Sequence, residues 1–299
     1  MSSRDGRELT VQEWGDLRGT PVFLLHGTPG SRLGPRPRDT QLYRQGIRLI
    51  GYDRPGYGSS TRLKDRRIEH AAADVARIAD CLGIDEFTVV GRSGGAPHAL
   101  ACGALLPERV RRVAALVSLA PPDAAGLDWF AGMSPGNVAE YRVARRGPEE
   151  LARRLEQRAA EIRADPRSRL PFGDDRLPES DRTVISDYGI KNMLVHNFTE
   201  GLRTSGLGWV DDCLSFIEPW GFEPGGITVP VLLWHGAQDI FSPVSHTHWL
   251  AERIKHAEVS VVPGAAHFGA IAVLPAVLRW LKAAPDAAAV PLTAAAAGG

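Results

Sequence analysis

The sequence holds little that would tie it to special surroundings. Its 299 residues include only three cysteines, Cys81, Cys102 and Cys213. Their spacing fits neither a metal site nor a redox pair, and an odd number without a leader reads as reduced thiols. Cys102 reads as a small apolar packing residue on a buried helix face. An excess of one charge is absent too. Lysine plus arginine number 35 and aspartate plus glutamate 35, which removes the electrostatic ground for nucleic acid or an anionic membrane as partner. Long apolar runs are missing: stretches such as VAALVSLA are far too short to span a bilayer. The opening residues, MSSRDGRELTVQEWG, lack the apolar centre of a signal peptide. Together these absences place the chain in the cytoplasm as an expectation, and its alanine and arginine usage fits a GC-rich bacterial genome.

What is present is alternation. Short apolar runs at Thr20–Gly27, Ile47–Asp53, Phe87–Gly91, Val110–Leu119, Val229–Gly236 and Ala257–Gly264 read as buried strands. Helical patterns lie between them: IEHAAADVARIADCLG, GGAPHALACGALLPE, SPVSHTHWLAERIK and FGAIAVLPAVLRWLKAA. Strands alternating with helices predict a mostly parallel sheet covered on both faces, and ELTVQEWG adds an antiparallel edge strand. The alternation stops between about Pro121 and Gly226, where the chain is arginine-rich and helical. There GPEELARRLEQRAAEIRAD sets Pro148 at a helix start, with Leu151, Leu155, Ala159 and Ile162 on one apolar stripe. The expected organisation is a core of residues 1–120 and 227–283, a helical cap of 121–226, and a flexible low-complexity tail of 284–299.

One stretch carries chemistry. TVVGRSGGAPHAL runs from strand to helix through Gly91-Arg92-Ser93-Gly94-Gly95, a G-x-S-x-G pattern in strand–turn–helix context. A turn this sharp forces Ser93 toward positive φ and needs glycine where side chains would strike the neighbouring elements. It leaves the hydroxyl at the carboxyl edge of the sheet, over a helix N-terminus whose dipole favours developing negative charge. A serine hydroxyl needs a base. His267, in the Gly-Ala-Ala loop after VSVVP, stands at a strand end where it can reach that edge. The base needs a carboxylate to fix its tautomer, and Asp239, just past VLLWHG, supplies one; the plainer reading of Asp239 is a turn or helix-cap aspartate. An oxyanion needs donors already aimed at it. The Gly94 N–H is one, and the Thr28 N–H in LLHGTPGSR is the other, with Gly27 permitting close approach. His26 reads as structural. No role is assigned to Arg92 or His196.

With HGTPGSR, GYDRPGYGSS, GRSGG, HGAQD and GAAHF in this order, the chain resembles the α/β-hydrolase fold family from about Glu8 to Lys282. More narrowly, it is similar to the capped bacterial serine hydrolases with an H-G-x-P-G oxyanion loop. The resemblance implies an eight-stranded, mostly parallel sheet with helices on both faces and a helical cap insertion. It also implies Ser-Asp-His catalysis through an acyl-serine, with no cofactor and no metal. Relatives that cleave carbon–halogen bonds or epoxides carry aspartate where Ser93 stands, and proline iminopeptidases usually have H-G-G-P-G where this chain has Thr28. The expected activity is hydrolysis of a small carboxylic ester, or of a thioester, amide or lactone. The alternatives are acyl transfer or carbon–carbon hydrolysis by the same triad, and a non-catalytic small-molecule binder. The expected partner is a small-molecule substrate, with the protein a monomer or homodimer.

Around the site, Asp53 is expected to pair with Arg54 inside GYDRPGYGSS. Asp211 and Asp212 are expected on the cap surface or at a helix cap, the alternative being a site beside Trp209 for a cationic or amine group of the substrate. Of the insertion's large apolar residues, Trp129, Phe130, Met133, Phe172, Met193, Phe198, Trp209, Phe216 and Trp220, most are expected in the core and a subset in an apolar substrate pocket.

Overall fold

The computed structural model describes residues 1–3, 5–169 and 176–283. The expected tail of 284–299 and the pocket candidate Phe172 lie outside the described residues.

Continuous apolar runs become central strands because a parallel strand is buried on both faces. Seven strands form one sheet among the described residues: β1 (Val11–Gly15), β2 (Thr20–Leu25), β3 (Ile47–Tyr52), β4 (Phe87–Arg92), β5 (Val110–Leu116), β6 (Val231–Gly236) and β7 (Ala257–Val262). Their order is β1-β3-β2-β4-β5-β6-β7. β1 pairs antiparallel with β3 at one edge, as ELTVQEWG predicts, and every other pair is parallel. The implied eight strands are corrected to seven among the described residues, where ahead of Val11 there is an isolated bridge between Ser2 and Glu8 and no strand of the sheet.

The helices are α1 (Asp39–Gln45), α2 (His70–Cys81), α3 (Gly95–Leu105), α4 (Pro135–Ala144), α5 (Pro148–Ala164), α6 (Pro166–Arg169), α7 (Glu179–Ser186), α8 (Tyr188–Gly201), α9 (Leu207–Phe216), α10 (Val244–Ala251), α11 (Gly269–Ala272) and α12 (Leu274–Lys282). Successive strand side chains point to opposite faces. Phe23, Val89, Val113 and Leu233 therefore join α2 and α3 in one apolar layer. Val22, Val90, Ala114, Leu232 and Trp234 join α12 in the other. Each of the valine, leucine and phenylalanine side chains among these, when fully buried, stabilises by about 1.5–3 kcal/mol, so the strand ends at the carboxyl edge are rigid mounts for a site.

Helices α4 to α9 all fall between β5 and β6. In α5 the stripe Leu151, Leu155, Ala159 and Ile162 is buried as its spacing predicts, and Pro148 occupies the first turn. It packs on Trp209, Val210 and Cys213 of α9 and on Tyr57 from the loop after β3. Two sequence expectations are corrected here. Asp211 and Asp212 are buried, because α9 is enclosed on nearly every side and offers no solvent face. Asp53 does not pair with Arg54: it takes Arg32, at 2.5 Å, while Arg54 crosses to Asp212 at 2.6 Å. Arg66 reaches the second oxygen of Asp212 at 2.6 Å, and Arg62 pairs with Asp211 at 2.8 Å. The helical insertion is thus joined to the sheet's loops by buried ion pairs.

Candidate active site

At the end of β4 the backbone turns into α3 through Ser93 and Gly94. Ser93 has φ of 54°, the left-handed region that the G-x-S-x-G pattern predicts. Its N–H donates to the Leu116 carbonyl at 2.9 Å, and its carbonyl accepts the Ala96 N–H at 2.8 Å. These bonds hold a conformation that costs a non-glycine residue about 1–3 kcal/mol. The flanking glycines are sterically required. A Cβ on Gly91 would stand 2.1 Å from the Gly95 carbonyl oxygen, and one on Gly95 2.2 Å from that of Leu25.

His267 and Asp239 come together as the sequence anticipates. The His267 Nδ1 lies 2.7 Å from Asp239 Oδ2. Asp239 Oδ1 accepts the N–H groups of Phe241 at 2.7 Å and Ser242 at 3.1 Å, so the plain reading as a turn aspartate holds as well. The turn aims the carboxylate at the imidazole. Burial alone would raise the Asp239 carboxyl. Attraction to His267 and hydrogen bonds from His235 and His267 outweigh it, leaving Asp239 well below the usual carboxylate range. With Nδ1 donating to this carboxylate, Nε2 is the end of the ring free to take a proton. His267 and Ser93 line one cavity, although no hydrogen bond joins them among the described residues. Contacts of this kind often tighten only when substrate binds.

The loop after β2 forms the facing wall. Gly27, Thr28 and Gly94 all border the cavity. Among the described residues the backbone N–H groups of Thr28 and Gly94 donate to no protein acceptor. A Cβ on Gly27 would lie 3.5 Å from Ser93 Cβ and 4.0 Å from Ser93 Oγ, inside the space a bound carbonyl would use. His26 is structural, as expected. Its Nε2 accepts the Arg54 N–H at 3.1 Å, which puts the proton on Nδ1, 2.8 Å from the Gly27 carbonyl. Arg54 also donates to the carbonyls of His26 and Gly27. Asp212 accepts from Thr28 Oγ1 and, at 2.7 Å, from the Tyr57 hydroxyl. One buried carboxylate of α9 therefore fixes both the threonine of this loop and the arginine that holds the loop's carbonyls. Burial would raise its pKa, but Arg54 and Arg66 drive it well below the usual range.

The cavity measures about 160 Å³, close to the ~150 Å³ hole that admits a benzene ring. Phe198, Trp209 and Phe216 line it, together with Phe241 and Phe268. Trp129, Met133 and Trp220 pack in the core, so the insertion's aromatics divide as expected. Two residues near it, Asp181 and Glu140, escaped sequence reasoning, and a third, Arg92, was named there without a role. Asp181 of α7 is fully buried and its Oδ1 accepts the Phe268 N–H at 2.7 Å, which ties the insertion to the residue after His267. Burial pushes its carboxyl up to about 6, against the pull of His267. Glu140 of α4 accepts from Trp209 Nε1 at 3.0 Å and lies 3.8 Å from Arg158. Arg92 lines the wall beside Ser93. Among the described residues no three His, Cys, Asp or Glu side chains gather as a metal site, and no helix is long and apolar enough to cross a membrane.

A hydroxyl at a strained strand–helix turn, an imidazole oriented by a buried carboxylate, and two unclaimed N–H groups around one small cavity make up the parts of an acyl-transfer site. The sequence profile described as alpha/beta hydrolase fold matches residues 20–271 of this chain. A bifunctional esterase/perhydrolase of Acinetobacter calcoaceticus is 24% identical over 273 residues, covering 89% of this chain and 92% of that protein. A non-heme haloperoxidase of Rhodococcus erythropolis is 26% identical over 275 residues, again 89% and 92%. Among solved structures, an enol-lactonase from Burkholderia xenovorans superposes with a TM-score of 0.66 at 22% identity, covering 92% of this chain and 95% of that one.

Proposed function

The chain belongs to the α/β-hydrolase fold family, and from that premise we propose that it is a serine hydrolase of small carboxylic esters working through an acyl-serine. The observation that carries this reading is the 2.7 Å bond from His267 to the buried Asp239, on the cavity that also holds the positive-φ Ser93. Ser93 Oγ attacks the carbonyl carbon as His267 Nε2 takes its proton. The tetrahedral oxyanion lies on the N–H groups of Thr28 and Gly94, in the space that Gly27 leaves clear. Collapse expels the alcohol with the proton returned from His267, leaving Ser93 acylated. Water, giving its proton to His267, attacks the acyl carbon and releases the acid. Asp239 holds the tautomer throughout and stabilises the imidazolium that forms. The helices of 121–226 act as the cap that selects substrate, and their Phe198, Trp209 and Phe216 suit an apolar group of a few carbons. The narrower kinship with H-G-x-P-G serine hydrolases belongs to the same proposal, as does a cytoplasmic location for the three reduced thiols.

A fluorophosphonate probe tests this. It should label the wild-type protein at Ser93 and spare Ser93→Ala; label elsewhere, or none on folded wild type, points to a non-catalytic binder. A second reading is acyl transfer from the same acyl-serine. The name of the Acinetobacter relative, an esterase/perhydrolase, favours hydrogen peroxide as the acceptor to try. Peracid formed at the expense of free acid when peroxide is added distinguishes it from hydrolysis alone.

A further inference from the structure

Arginine is common in this chain, and around the site nearly every one is committed. Arg54 and Arg66 share Asp212, Arg62 holds Asp211, and Arg32 holds Asp53. Arg92 is the exception. It ends β4, immediately before Ser93, and among the described residues its side chain makes no hydrogen bond, ion pair or ring contact. Its carbonyl, by contrast, lies against Gly27 as part of the turn.

The side chain is also not simply sealed in the core. Arg92 is only half-buried, and it lines the cavity that holds Ser93 and His267. None of its nitrogens counts among the fully buried polar atoms left without a partner, as the Nε atoms of Arg54 and Arg66 do, so all three border open space. Burial alone pulls its pKa down to about 10, which still leaves it a cation at neutral pH. A cation held inside a protein without a counter-ion costs several kcal/mol. Among the described residues the neighbouring arginines have counter-ions and Arg92 has none.

Of the carboxylates nearby, Asp239 and Glu140 are already engaged, and Asp181, its carboxyl pushed up by burial, does not line the cavity. Asp239 is bonded to His267 and to the amides of its own turn. Glu140 is occupied by Trp209, Cys213 and Arg158. The uncommitted charge of the cavity wall is thus positive, one residue from the nucleophile. A guanidinium matches a carboxylate with two parallel N–H···O bonds, stronger than those between neutral groups.

We infer that Arg92 binds a free carboxylate of the substrate, so that the compound hydrolysed is an ester or lactone bearing a second, ionised carboxyl group. This rests on the serine-hydrolase reading above. Because Arg92 and Ser93 are adjacent and the cavity is small, the carboxylate and the reacting carbonyl are joined by a short chain. The half-ester of a short dicarboxylic acid has that form.

Two probes of equal length make the test: the 4-nitrophenyl half-ester of glutaric acid and 4-nitrophenyl pentanoate, which ends in a methyl group. For wild type, kcat/KM should favour the half-ester by about 10–100-fold, the range of a charge-assisted pair. Arg92→Met should bring the ratio of the two values close to one and Arg92→Lys leave it intermediate; a ratio within one protein cancels any loss of active material. If Arg92→Met does not fold, wild type still decides: glutarate should inhibit pentanoate hydrolysis competitively and pentane-1,5-diol should not. A wild-type ratio near one, a ratio unchanged in Arg92→Met, or equal inhibition by acid and diol overturns the inference while fluorophosphonate labelling of Ser93 keeps the hydrolase. Folded wild type that turns over neither ester and takes no label overturns the hydrolase reading, and this inference with it.

Discussion

Replacing Asp212 with asparagine should damage stability and catalysis together. The carboxylate is fully buried and accepts from Arg54 and Arg66, each at 2.6 Å, from Tyr57 at 2.7 Å, and from Thr28 Oγ1. Asparagine keeps the shape and one acceptor oxygen, but its amide nitrogen must face a donor, and two buried guanidinium groups lose their counter-ion. Breaking a buried pair in this way costs about 3–5 kcal/mol. A chain of 299 residues unfolds with an entropy of roughly 2.1 cal/mol/K per residue, so the loss lowers Tm by about 5–8 °C. The same change frees Thr28 Oγ1 and loosens the arginine that holds the His26 and Gly27 carbonyls, so the Thr28 N–H loses its aim. Removing an oxyanion donor outright costs about 10²–10³ in kcat; misplacing one should cost roughly 10–10², with KM changed little. Thermal unfolding and ester hydrolysis, the latter well below the variant's Tm, read the two effects. An Asp212→Asn protein that melts with wild type and keeps its kcat would refute the idea that this carboxylate holds the loop.

Other substitutions separate chemistry from folding. Gly27→Ala should leave Tm within about 2 °C, since the added methyl meets its neighbours no closer than 3.4 Å, yet lower kcat at least about tenfold by standing near Ser93 Oγ; unchanged turnover would show that the carbonyl binds elsewhere. Asp239→Asn should cut kcat by about 10³–10⁴ through the wrong imidazole tautomer, and a loss under tenfold would contradict its role. Asp181 titrates at about 6 in the folded chain against an ordinary 3.8. The folded state therefore holds that proton more tightly. Its contribution is complete below pH 3.8 and disappears as pH rises through 6, a swing of about 3 kcal/mol. Urea midpoints of wild type should accordingly fall relative to Asp181→Asn between pH 4 and 7, whereas parallel curves would show that Asp181 does not titrate there.

The strands and the three central side chains were legible for one reason: each is encoded locally. A run such as TVVG has to be a buried strand, and Ser93, Asp239 and His267 each follow such a run at the sheet's carboxyl edge. The elbow could be read to the level of φ because only glycine fits at Gly91 and Gly95. What was not legible depends on contacts between distant segments. Asp211 and Asp212 look like surface residues in LGWVDDCLSF, and only the packing of α9 against Arg54, Arg62 and Arg66 makes them interior. Asp181 sits 86 residues before His267 with nothing local to mark its bond to Phe268. The single helix read over FGAIAVLPAVLRWLKAA divides at Val273 into α11 and α12. Pro275 supplies the cause, lacking an N–H and crowding the carbonyl four residues back. Arg92 was visible but mute: that it has no partner among the described residues is a fact of three dimensions.

Mass spectrometry of the protein quenched during turnover of a 4-nitrophenyl ester tests the central claim most directly. One acyl group is expected on the peptide that contains Ser93, absent from Ser93→Ala and formed more slowly in His267→Ala. An acyl group carried by another residue, or Ser93→Ala hydrolysing the ester at the wild-type rate, would contradict it.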